Sequence, residues 1–307
     1  MGLPAPYLNK QARDILSRYE IGGVILFNRN CENHNQLKQL IEDIKITCIS
    51  KPFIAIDFEG GRVRRGVELF NVLEAAEYYA PDKLQKLRDD CLKVGQQFKE
   101  LGINVNFAPV ADLKYNPENP ALAERTFSDD PAAVAEYCQA FIAAFTENGI
   151  LTCLKHFPGL GSAANDPHEK MSVTCRSIER FINYDFIPFK TGIESGVPMV
   201  MTTHVLASAL DSKLATFSEN ITKLMRNFGF NGIIVSDDMF MGAVNGDNLP
   251  QRVLESLVAG HDLTLVCHGI NRYEEIIETL ENNISLLEKH GHSESIRRIE
   301  NAKTKFV

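Results

Sequence analysis

Short apolar runs alternate with longer amphipathic stretches from one end of the chain to the other. The runs at 22–27, 53–57, 105–109, 152–156, 198–204, 232–237 and 262–267 are mostly β-branched and nearly continuously hydrophobic. Parallel strands covered on both faces have that pattern, because neither face meets water. Helical periodicity falls between them, at 36–49, 81–101, 131–148, 178–195, 222–228 and 249–259. Asp130-Pro131 and Ser218-Glu219 read as helix starts, and Gly102, Gly149 and Gly196 as stops. Strand and helix repeat without a linker, which predicts one α/β domain over residues 1–307. Its nearest closed architecture is a (β/α)8 TIM-type barrel. Seven strands are visible and the eighth is uncertain, since 273–289 and 294–305 read as two closing helices that leave little room for it. An open doubly wound sheet is the alternative, but no Gly-x-Gly-x-x-Gly follows the first strand.

Composition removes whole classes of function. A hydrophobic share of 44% and a charged share of 23% are those of a soluble globular protein. The net charge of −8 argues against nucleic acid or a membrane surface as partner. No run approaches the roughly 18 apolar residues of a membrane span. Residues 1–8 lack the charged-then-apolar layout of a signal peptide. The seven cysteines are scattered and form no Cys-x-x-Cys pair, so neither a disulfide framework nor a structural zinc site is expected. A cytoplasmic location is the economical expectation.

The chemistry gathers where the apolar runs stop. The run at 150–154 ends in Lys155 and His156, followed by Phe157-Pro158-Gly159-Leu160-Gly161 and then Asp166-Pro167-His168. Strand, charged tip and flexible loop in that order is how an α/β barrel presents reactive groups. The other runs end in Asn28 and Arg29, Asp57 and Glu59, Asp112, His204, and Asp237-Asp238. One polar strand end means little, because strand ends meet solvent; the recurrence predicts a site at one mouth. Side chains alternate along a strand, so Asp237 and Asp238 cannot both point into that mouth. Residue chemistry leaves open which is reactive, and leaves both readable as caps of the next helix. His168 taken alone reads more readily as a solvated loop histidine.

These segments together resemble glycoside hydrolase family 3, specifically its β-N-acetylhexosaminidases of bacterial cell-wall recycling. The resemblance runs from Gly22 to Cys267. It rests on Gly22-Gly23-Val24-Ile25-Leu26-Phe27, Ile56-Asp57-Phe58-Glu59-Gly60-Gly61-Arg62-Val63, Asn106-Phe107-Ala108-Pro109-Val110, Arg125-Thr126-Phe127-Ser128, the Lys-His-Phe-Pro-Gly run, Met201-Thr202-Thr203-His204 and Ser236-Asp237-Asp238-Met239. The resemblance implies a retaining exo-β-N-acetylglucosaminidase, acting through a covalent glycosyl–enzyme intermediate on peptidoglycan-derived fragments. It makes Asp237 the nucleophile, His168 the general acid/base and Asp166 its orienting partner. It places Asp57, Arg65, Arg125, Lys155 and His156 on substrate hydroxyls. No cofactor and no metal are implied, and the partner is a small-molecule glycoside.

The residue types suit these roles. A carboxylate stays ionised and tolerates a reversible ester to an oxocarbenium-like centre. An imidazole beside a carboxylate can deliver a proton to the leaving oxygen and later take one from water. The chain departs from the family where Leu160-Gly161-Ser162 replaces His-Gly-Asp, at Glu124 and Thr126, and over residues 66–79, which lack the usual Pro-rich aromatic stretch. Other functions remain on the table. They are another family 3 β-glycosidase, a phosphorylase, a metal-dependent hydrolase using His156, His168 or His204 with Asp237, a Schiff-base lyase using Lys155, and a non-catalytic sugar-binding barrel.

Overall fold

A computed structural model describes residues 1–80, 82–115, 119–163, 172–244 and 248–306. Seven parallel strands run in sequence order around the sheet: β1 (Gly23–Leu26), β2 (Phe53–Ile56), β3 (Val105–Asn106), β4 (Leu151–Phe157), β5 (Met199–Thr202), β6 (Ile233–Asp238) and β7 (Leu263–Leu265). Helices cross between them: α2 (His34–Thr47), α3 (Leu84–Leu101), α4 (Pro131–Glu147), α5 (Phe186–Glu194), α6 (Glu219–Asn227) and α7 (Leu249–Val258). A helix α1 (Lys10–Arg18), not anticipated from the sequence, precedes β1; α8 (Tyr273–Asn282) and α9 (His292–Phe306) follow β7.

The eighth position is filled from the chain's beginning rather than after the seventh strand. Gly2 bridges Ile25 in parallel, the Ile25 amide donates to the Met1 carbonyl at 2.9 Å, and the Gly2 amide donates to the Val266 carbonyl at 3.0 Å. A side chain at position 2 would meet the Cys267 carbonyl oxygen at 2.1 Å, so the closure needs glycine. Arg29 staples this seam, donating to the Leu3 carbonyl at 2.7 Å and to the Cys267 carbonyl at 2.9 Å. A pairing this short leaves no hydrophobic run to find in the sequence.

Alternation along the strands produces two cores. Ile25, Phe53, Ala55, Val105, Phe107, Leu151, Cys153, Met199, Met201, Ile233 and Val235 fill the barrel. Their neighbours Val24, Leu26, Ile54, Ile56, Leu154, Val200 and Ile234 face outward under the helices. Ile299, Ala302 and Phe306 of α9 pack against the inner cluster and cover the bottom of the barrel. The mouth is left open at the carboxyl ends of the strands.

Several boundaries follow the sequence closely. Asp130 caps α4 by accepting from the Ala132 amide, with Pro131 in the first turn, and Ser218 caps α6 through the Ile221 amide. Gly102 ends α3 with φ 86°, the left-handed conformation that glycine takes at no steric cost. Two predicted helices are broken. The 178–195 stretch contains a π-helical turn over Phe181–Asp185, and 273–289 is interrupted at Asn283. The strand expected over 105–109 is regular only over Val105–Asn106. All seven cysteines are free, and no helix of the described residues is long and apolar enough to cross a membrane.

Candidate active site

The mouth holds a cavity of about 450 Å³ lined by Asp57, Glu59, Arg65, Arg125, Lys155, His156, Asp237 and Asp238. Six residues that the sequence singles out are thus brought together: Asp57, Arg65, Arg125, Lys155, His156 and Asp237. The other two, Asp166 and His168, lie outside the described residues. Among the described residues no three His, Cys, Asp or Glu side chains gather as a metal site. His204 is turned to structure instead, with Nδ1 at 2.7 Å from the Thr216 hydroxyl and Nε2 at 2.9 Å from the Asp238 carbonyl.

Charge is concentrated on the β2–β4 side of the cavity. Lys155 would alternate away from His156 on a regular strand, yet both line the cavity. A register shift between Lys155 and Phe157 against β5 accommodates them. The Lys155 ammonium contacts Asp57 Oδ1 at 2.9 Å and Glu59 Oε1 at 2.6 Å. Arg125 grips the same Glu59 in fork geometry, Nε to Oε2 at 2.7 Å and Nη2 to Oε1 at 2.8 Å. Burial raises the Glu59 pKa, but Arg125 and Lys155 outweigh it and hold the carboxyl well below the usual range. Burial likewise lowers the Lys155 pKa, and Asp57 and Glu59 more than reverse it, so the buried ammonium stays charged.

His156 is oriented from below. Asp112, itself buried, lies 2.6 Å from His156 Nδ1 and accepts from the His156 amide at 3.2 Å. Nδ1 is thereby turned to Asp112, and Nε2 lies 3.4 Å from Arg125 Nη2 in a residue that lines the cavity. The second oxygen of Asp112 accepts from the Leu160 amide at 2.6 Å. One carboxylate thus fixes both the imidazole and the backbone at Leu160. The family departures here are built in: Leu160 is buried, and the Ser162 hydroxyl lies 2.7 Å from that of Thr174. Glu124, another departure, holds a left-handed φ of 64° that glycine adopts more easily.

The β6–β7 side separates the two aspartates. Asp238 Oδ1 accepts from the Phe240 amide at 3.2 Å and the Cys267 amide at 2.9 Å, binding β6 to the end of β7. Asp237 Oδ1 accepts from the neighbouring Asp238 amide at 2.8 Å, and the side chain lines the cavity. Burial raises the Asp238 pKa, and nearby Asp237 adds to it against the two amides. Asp238 is therefore the structural acceptor of the pair.

Arg65 completes the ring of polar groups. Its amide donates to the Asp57 carbonyl at 3.2 Å, its guanidinium carbon lies 5.9 Å from the centre of the Phe27 ring, and its buried Nε has no hydrogen-bond partner among the described residues. A buried orphan donor in a cavity calls for an acceptor on a ligand. Ile25, Phe27, Met201, Met241 and Leu265 supply an apolar floor, and His268 stands at the rim near Phe27 and Phe240. Sequence reasoning gave no role to Glu59 or His268. Both carried the signal that found the rest, a polar residue just past a strand.

Residues 1–302 match the glycosyl hydrolase family 3 N terminal domain. A β-hexosaminidase of Neisseria meningitidis is 35% identical over 282 residues, which cover 88% of this chain and 78% of that protein. The structure of NagZ from Neisseria gonorrhoeae, in complex with N-trifluoroacetyl-D-glucosamine, superimposes with a TM-score of 0.80 at 31% identity, covering 99% of this chain and 95% of that one. A fungal multi-domain family 3 β-N-acetylglucosaminidase superimposes with a TM-score of 0.96 at 26% identity; this chain matches over its whole length but spans only 38% of that longer protein. Barrel, charged mouth and sequence agree, and the chain belongs to glycosyl hydrolase family 3.

Proposed function

We propose that this chain is a retaining exo-β-N-acetylglucosaminidase that removes terminal N-acetylglucosamine from peptidoglycan-derived fragments in the cytoplasm, with residues 1–307 forming a single catalytic barrel domain. The observation that carries the reading is the cavity itself. Its lining combines a carboxylate, Asp237, with the charged donors Lys155, Arg125 and Arg65 and the acceptors Asp57 and His156. Polyhydroxylated rings are held by such charge-assisted hydrogen bonds. The β-hexosaminidase relatives and the sugar-bound Neisseria gonorrhoeae structure support N-acetylglucosamine as the sugar.

In the proposed reaction, the Asp237 carboxylate attacks the anomeric carbon while the bond to the leaving oxygen breaks. His168, oriented by Asp166, gives that oxygen its proton. Water then displaces Asp237, surrendering a proton to His168, and two inversions leave the β-configuration retained. Lys155, Arg125, Arg65, Asp57 and His156 hold the ring's hydroxyls throughout. Each step balances with water as the sole co-reactant.

The test is the initial rate on 4-nitrophenyl N-acetyl-β-glucosaminide beside the matching β-glucoside, with and without phosphate. Strong preference for the acetamido sugar and free N-acetylglucosamine as product is the expected outcome. Preference for the glucoside moves the substrate class, sugar 1-phosphate as product makes the protein a phosphorylase, and silence on both leaves a binding barrel.

A further inference from the structure

Glu59 is the one carboxylate, among the described residues, that touches both buried cations of the mouth. Its side chain is 4% exposed, against 3% for Lys155 and 8% for Arg125. Two cations so deeply buried repel each other, and each costs several kcal/mol to desolvate unless paired. Asp57 forms an ion pair with Lys155 and none with Arg125. Both oxygens of Glu59 are spent: Oε1 on Lys155 and Arg125 Nη2, Oε2 on Arg125 Nε. Glu59 is therefore committed to neutralising the two cations.

The cations, by contrast, are not exhausted. An ammonium has three N–H groups, and Lys155 uses two on Asp57 and Glu59. Of the five N–H groups of Arg125, two meet Glu59, one on Nη1 meets the Ala121 carbonyl at 2.6 Å, and Nη2 also lies 3.4 Å from His156 Nε2, which leaves one on Nη1. Both residues line the cavity, where a ligand can take up the donors that remain.

Glu59 is also delivered rigidly. It sits in a short strand, Phe58–Gly60, folded back on Val63–Arg64. The buried Asn106 amide clamps the residue before it, accepting from the Phe58 amide and donating to the Phe58 carbonyl, both at 3.0 Å. Gly60 and Gly61, at φ 112° and 52°, make the turn that follows. Arg62 then donates to the Ala121 and Ala123 carbonyls at 3.0 Å, pinning the segment that carries Arg125. A motif of five consecutive residues, 58–62, thus fixes the counter-charge and the approach of its partner together.

We infer that Glu59 is a positioning residue, which aims the unspent donors of Lys155 and Arg125 at the hydroxyls of the bound pyranoside. The inference rests on the glycosidase reading above and deepens it. Its signature is coupling to the substrate's hydroxyls, which a purely structural carboxylate would not show.

The experiment compares kcat/KM for an aryl β-N-acetylglucosaminide with its 3-, 4- and 6-deoxy analogues, in wild type, Glu59→Gln and Glu59→Asp. Glu59→Gln removes the charge at constant shape and is expected to cost the parent glycoside about a hundredfold in kcat/KM. At least one deoxy analogue loses far less, so that discrimination between parent and analogue falls by about tenfold. Glu59→Asp keeps the charge but draws it back by one methylene and is expected to lie between. Wild-type discrimination in every variant that melts cooperatively overturns the inference, whatever the absolute rate. If wild type turns over the glucoside series instead, the same ratios are read there, and only the sugar assignment changes. Absence of turnover on both series overturns the inference together with the glycosidase reading.

Discussion

Two buried carboxylates in this barrel are each gripped by two cations, one at either end, and they do different work. At the bottom, Asp262 binds Arg226 at 2.6 Å and Arg298 at 2.8 Å, and also accepts from the Ile234 amide at 2.7 Å. At the mouth, Glu59 binds Arg125 and Lys155 at 2.7 and 2.6 Å. The bottom arginines are spent on the protein: Arg226 Nη1 on the Phe230 and Gly232 carbonyls, Arg298 Nη2 also on the Ser295 hydroxyl. That cluster ties α6, α9 and the start of β7 into one seam. The mouth cations keep donors for a cavity. Ion pairs of the same kind are structural where their donors close on backbone, and functional where the remaining donors open on a space that a ligand can fill.

The largest effect that would break this contrast concerns the mouth. Asp237→Ala should lower kcat on an aryl glycoside by on the order of 10⁴-fold while leaving the melting temperature near that of wild type. Substantial turnover in that variant would move the nucleophile elsewhere. At the bottom the expectation reverses. Asp262→Asn leaves Arg226 and Arg298 without their shared anion and should cost about 3–5 kcal/mol in urea unfolding, with kcat/KM of the folded enzyme little changed. Activity lost without stability would dissolve the distinction between the two ends.

A smaller effect sharpens it with pH. His261, beneath β5, is fully buried between the Thr202 hydroxyl at 2.8 Å and the Ser256 carbonyl at 3.0 Å. Burial pushes its imidazole down from 6.5 to about 4, against the hydrogen bond to Ser256. Below 6.5 the unfolded chain takes up a proton that the folded one refuses until about 4. Stability from this group is therefore complete near pH 7 and lost as pH falls across that window. Between pH 7 and 4.5, wild type should lose about 2–3 kcal/mol more than His261→Gln in urea unfolding. Parallel pH dependences of the two proteins would show that His261 titrates normally.

The fold was legible because burial imposes periodicity. Strand bodies such as Phe53–Ile56 are apolar on both faces, one set filling the barrel and the other meeting helices. The closure was not legible, because a single residue, Gly2, makes the bridge to β1 and leaves no pattern. Helix α1 was missed for a similar reason: only Ala12, Ile15 and Leu16 of its nine residues are buried. At the site, residue types at strand ends marked the candidates, while the partnerships were hidden by distance along the chain. Glu59 meets Arg125 across 66 positions, and Asp57 meets Lys155 across 98. Asp237 and Asp238 were indistinguishable by type; the two backbone amides that Asp238 accepts are a tertiary fact.

The central claim is that Asp237 forms the covalent intermediate in this cavity. The most direct measurement is mass spectrometry after incubation with a 5-fluoro-N-acetylglucosaminyl fluoride, which forms the glycosyl ester readily and releases it slowly. The account predicts a single adduct that maps, after proteolysis, to Asp237. An adduct on Asp57, Glu59 or Asp238, or continued turnover with none and with inverted product, would contradict it.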